Sequence, residues 1–162
     1  MWRKLLNRIS AFKRSDSGVQ LVELAIVLPI LLMMFAAVAE FGRYFYEYTT
    51  LAKSSRDAVR YLATAYTDGR DDAAAKNLVV YGNLTGTGNP ILSGLTTANV
   101  QIVRLKQNGS PAGCIPFTVT IKVIDFKHAS VLKLDKLTNS SSLDIDVKPS
   151  VTMRYLMSQC LV

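Results

Sequence analysis

The sequence predicts an α+β protein: a long amino-terminal helix, part transmembrane and part stalk, packed against a small antiparallel sheet of about three strands plus a short helix. Three observations predict it. The run from Val19 to Ala39 is apolar apart from a few small or polar residues and carries one ionisable side chain, Glu23; at the helical rise it is long enough to cross a bilayer core. Phe41, Phe45, Tyr48, Ala52, Ser55, Val59, Leu62 and Tyr66 then recur at alternating steps of four and three, which is helical spacing. Later in the chain the apolar period becomes two, as in strands with one buried face.

The elements follow in order. Residues 1–18 form a basic leader, in which Arg3, Lys4, Arg8, Lys13 and Arg14 stand against the single acid Asp16. Positive charge before a span favours the cytoplasmic side, so everything after Glu40 is expected on the outer face. Residues 19–39 form the span and 40–66 continue the same helix as a stalk. There Glu40, Arg43, Glu47, Lys53, Arg56, Asp57 and Arg60 occupy positions between the apolar ones, leaving a packing stripe of Phe41, Phe45, Tyr48, Ala52, Val59 and Leu62 that something must cover. Pro29 removes one helical donor and crowds the carbonyl of Ala25. Either it kinks the helix or it is tolerated, as prolines often are within membranes.

Residues 67–162 form the outer domain. Asp71 to Tyr81 reads as a short helix with acids at its positive end, and Gly82 to Pro90 as a loop. Strands are expected over Val100 to Leu105, Phe117 to Asp125 and Leu143 to Tyr155, the first two joined through a turn at Asn108-Gly109. In the second strand Phe117, Val119, Ile121 and Val123 share a face; in the third, Leu143, Ile145, Val147, Val151, Met153 and Tyr155 do. Pro149 places the third strand at an edge or bends it. A three-stranded sheet needs a packed layer on its apolar side, and the stalk helix supplies one. Cys114 and Cys160, the two cysteines, both fall on the outer side, where an oxidising compartment favours a disulfide over two buried thiols.

Several chemistries find little to use. The chain carries a formal charge of +7, more than half of it in the leader, and the basic residues beyond Arg43 are scattered among acids, so a nucleic-acid partner is not expected. His128 is the one histidine, and no cluster has metal-ligand spacing; neither an enzyme nor a metal or cofactor site is expected. Gly86-Thr87-Gly88 is followed by Ile91 where a dinucleotide fingerprint needs glycine, and no P-loop lysine follows. Ser140 to Ser142 read as a linker, and Asp144 with Asp146 as the solvated face of a strand.

A basic leader ending in Gly18, then Val19 to Glu23 with glutamate fifth, then an apolar helix, resembles the processing junction of type IV prepilins and pseudopilins. Within that group Val22-Glu23, Ile26-Val27-Leu28-Pro29, Glu40-Phe41-Gly42-Arg43 and Asp57-Ala58-Val59-Arg60-Tyr61-Leu62-Ala63 resemble the TadE-like proteins of the tight-adherence, or Flp, pilus. Val151-Thr152-Met153-Arg154 is similar to the end of such proteins. The resemblance implies cleavage after Gly18 by prepilin peptidase, leaving Val19 as the new amino terminus. It implies an assembly charge pair between that amino group and Glu23 of a neighbouring subunit; otherwise Glu23 simply reaches the headgroup region. It also implies partners among other Tad pilus subunits, minor pseudopilins and the inner-membrane assembly machinery, in the cytoplasmic membrane of a bacterium. Leu24 stands where the major Flp pilin usually has tyrosine, and the chain is much longer than that pilin, which favours a minor pseudopilin. Two other readings remain: an uncleaved single-pass envelope scaffold, and a domain released by signal peptidase after Ala37-Val38-Ala39.

Overall fold

The structure, a computed structural model, describes residues 16–65, 69–112, 115–130 and 145–157. It comprises two compact units, Met1–Phe41 and Gly42–Val162, with helix α1, Asp16–Ala63, contributing to both.

In the first unit α1 has no core to build. It begins three residues before the expected Val19 and continues through Pro29, and its large apolar side chains are exposed from Val19 to Phe41. By length and composition this helix could cross a membrane.

The second unit buries what the first leaves open. Leu51, Ala58, Val59 and Leu62 of α1 enter one core with residues of a second helix, a three-stranded sheet and the intervening loops. Helix α2, Arg70–Tyr81, carries Asp71 and Asp72 in its first turn, where carboxylates favour the positive helix end. It stops at Gly82, whose left-handed backbone (φ 71°) lets its N–H reach the Leu78 carbonyl at 3.1 Å, a conformation that suits a residue without Cβ. Ala75, Val79 and Val80 form its buried side.

Strands β1 (Val100–Leu105), β2 (Thr118–Val123) and β3 (Ser150–Arg154) lie in the order β1-β2-β3, both pairs antiparallel. Ile102 stands opposite Ile121, and Ile121 opposite Val151. As period two requires, Val119, Ile121 and Val123 are buried while Lys122 is exposed. On the other face Thr120 and Thr152 join hydroxyls at 2.8 Å.

The third strand is shorter than its sequence pattern. Leu143 and Asp144 lie outside the described residues. Ile145 to Lys148 leaves the ladder, with one isolated bridge from Asp146 to Lys127. Pro149 has no N–H to offer a sheet, although its carbonyl accepts from Val123 at 3.0 Å. The apolar face read straight through that proline therefore does not hold: Val147 and Tyr155 are buried, but Ile145 and Met153 are exposed. β3 is an edge strand, as the proline implied.

The carboxyl end of α1 is closed by the segment after β3. The last carbonyls of a helix lack intrahelical donors; here Leu156 N–H donates to Ala63 at 2.9 Å and the Tyr155 hydroxyl to Ala65 at 2.7 Å. The helix accordingly ends at Ala63, before the expected Tyr66, which lies outside the described residues.

Candidate processing and assembly segment

At the amino end of α1, Gly18, Val19 and Glu23 are all exposed. Glu23 is four positions after Val19, so both lie on one helix face. A carboxylate on such an apolar helix is costly unless it reaches water or a cation. Among the described residues, no ion pair involves Glu23. Pro29 lies two turns further along, inside the same helix.

Within the second unit, the buried face of α1 is rotated from the expected stripe. Val59 and Leu62 are buried and Ala52 is half-buried, but Phe45 and Tyr48 are exposed, as is Phe41 in the first unit. The face that meets the core instead runs through Tyr44, Leu51, Ser55, Ala58, Val59 and Leu62. The two rows converge from Ser55 onward and diverge below it.

Glu47 lies on that rotated face. Its carboxylate lies 2.8 Å from Nδ1 of His128, whose side chain is only 1% exposed. Tyr44 meets the same imidazole edge-on, with ring centroids 5.9 Å apart. The one histidine of the chain thus fastens the segment after β2 to α1. Sequence reasoning placed Glu47 on the solvated face; the partners are 81 residues apart, and scarcity of histidine was the only local signal.

Other polar contacts brace the same unit. Arg104 on β1 makes a two-pronged salt bridge to Asp72 on α2, with one arm at 3.1 Å. The Tyr61 hydroxyl donates to Asp71 at 2.8 Å, and that hydrogen bond to a carboxylate raises the phenol pKa above its ordinary value. Asp146 pairs with Lys148 at 2.7 Å on the surface; their mutual hydrogen bond lowers the pKa of the acid and raises that of the amine. Among the described residues, no group of three or more His, Cys, Asp or Glu side chains could hold a metal ion. Cys114 and Cys160 lie outside the described residues.

The arrangement is therefore a helix with an exposed apolar half and a folded half, and residues 18–60 of it match a family model, that of the TadE-like proteins. Over this stretch the chain is similar to the TadE-like proteins. The TadE-like segment begins at Gly18 and ends at Arg60, so it lies wholly within α1. It contains Val19, Glu23 and Pro29 together with Glu47 and the core residues Leu51, Ala58 and Val59. Helix α2 and the sheet fall outside it. No curated protein and no solved structure matches the chain.

Proposed function

We propose that the protein is a minor pilin or pseudopilin of a Tad (Flp) type IV pilus, acting in its assembly, initiation or tip, and made as a precursor cut after Gly18 by prepilin peptidase. The observation that carries this reading is the TadE-like match, whose first residue is Gly18, on a helix whose apolar half is exposed from Val19 onward. In this account the leader stays in the cytoplasm and the second unit lies outside the bacterial inner membrane. The role is structural and not enzymatic.

Cleavage would give Val19 an α-amino group that is positively charged at neutral pH. In a bundle of apolar helices that charge needs a partner, and Glu23 of a neighbouring subunit provides one. Other Tad pilus subunits and the inner-membrane assembly machinery are the partners this reading requires. Amino-terminal sequencing of the mature protein tests it: a chain starting at Val19 is expected, while one starting at Glu40 or Met1 overturns it. Bulky replacement of Gly18 is expected to block processing. Glu23→Ala is expected to be processed normally but to assemble poorly, and normal incorporation of that variant into filaments would refute the charge pair.

A further inference from the structure

The geometry points to an interfacial belt on α1: Phe45, Tyr46 and Tyr48 are seated in the outer lipid headgroups, so that the folded unit begins at the bilayer surface. This goes beyond the pilin reading. It requires only that α1 is anchored in a bilayer, and it holds whether or not the chain is cut after Gly18.

Three observations carry it. The first is exposure. Phe45 is 58% exposed, Tyr46 65% and Tyr48 40%, although the folded unit that contains them has a core within one turn. The second is their distribution. At about 100° per residue, Phe45, Tyr46 and Tyr48 are spread over roughly 160° of the helix circumference. Tyr44, Glu47 and Leu51, which face the core or His128, occupy the remaining sector. A seam for one partner helix is a narrow stripe; aromatics spread over nearly half the circumference are what a headgroup layer accommodates.

The third is depth. Glu23 is the last ionisable residue before the run from Leu24 to Ala39, which fixes the inner boundary near Glu23. Twenty residues of helix cover about 30 Å, the thickness of a hydrocarbon core, so the outer boundary falls near Arg43. Phe45, Tyr46 and Tyr48 come next, at the level where amphipathic rings collect. Glu40 and Arg43 lie in the last turn before it, within snorkelling reach of water. Only one helical turn, carrying Glu40 and Arg43, separates the apolar run from the belt, and lipid is the occupant that fits both.

The test uses the full chain reconstituted in phospholipid vesicles, with Trp2→Phe in every variant to remove the native indole emission. Single probes are introduced as Phe45→Trp, Tyr46→Trp and, as the control on the solvated side, Lys53→Trp. Lipids brominated near the ester end of their acyl chains are expected to quench the probes at 45 and 46 at least about twofold more than the one at 53. Equal, weak quenching at all three positions would overturn the belt. So would protection of position 45 that grows with the protein-to-lipid ratio, which would mark a second helix as the occupant. Unchanged thermal unfolding of each variant confirms that the exposed probe has not disturbed the fold.

Discussion

The two halves of α1 are built from similar residues and meet different surroundings. Between Val19 and Phe41 leucines, methionines and valines project on every side and none is buried; between Tyr44 and Ala63 one row is buried almost completely, with Leu51, Ala58, Val59 and Leu62 at 0–1% exposure. The difference lies in the polar residues between them. Arg43, Lys53, Arg56, Asp57 and Arg60 give the upper half a side that water satisfies, so its remaining apolar side must find a core. The lower half has no such side, and by length and composition it could cross a membrane. Apolar content alone does not tell a core from a span; the pattern of charges does.

The largest test of this contrast truncates a leucine in each half. Leu62→Ala removes buried methyl groups and leaves a cavity, and is expected to cost the folded unit about 3 kcal/mol. Leu31→Ala, in the exposed run, is expected to change that unit's stability by less than about 0.5 kcal/mol. Denaturant unfolding of the full chain in detergent, followed by the tyrosine signal of the second unit, reads both. Similar losses would mean that the halves form one cooperative body.

A smaller effect is expected at the point where the folded half departs from its own periodicity. His128→Ala leaves Glu47 half-buried without its partner and Tyr44 without the ring it meets, for an expected loss of about 2 kcal/mol by the same unfolding measurement. A negligible loss would show that the rotation of the packing face is set by Leu51 and Ala58 alone.

The smallest is at Tyr61. Because Asp71 raises its pKa in the folded state, the folded protein holds that proton more tightly than the unfolded chain. Its contribution is therefore full below the ordinary phenol value near 10 and fades as pH rises through the higher folded value. Tyr61→Phe is expected to cost no more than about 1 kcal/mol at neutral pH. It should also flatten part of the stability loss in the alkaline range, which unfolding curves at several pH values would show.

What was legible in the sequence was local. The α+β class, the long helix, α2 between Gly69 and Gly82, and the two strands β1 and β2 all follow from periods and punctuation within a few residues. The rest depends on contacts the chain makes far away. The aromatics Phe41, Phe45 and Tyr48 keep a 3.5-residue spacing that reads as a core seam, but the core is approached one position earlier, on the side where Glu47 meets His128 from 81 residues away. The third strand was read too long because alternation persists through Pro149 on paper, whereas a missing N–H ends the ladder there. The pattern around Gly18 and Glu23 resembles a TadE-like protein on paper, and the match to that family's model begins at Gly18.

The closure of α1 by Tyr155 and Leu156 also has a mechanical meaning. Within the folded unit α1 is held through the Ala63 and Ala65 carbonyls, the Glu47 and His128 pair, and the row from Leu51 to Leu62, so a load on the helix is shared among these contacts. The closing residues directly follow the last strand, so the segment after β3 shares any load borne by the helix.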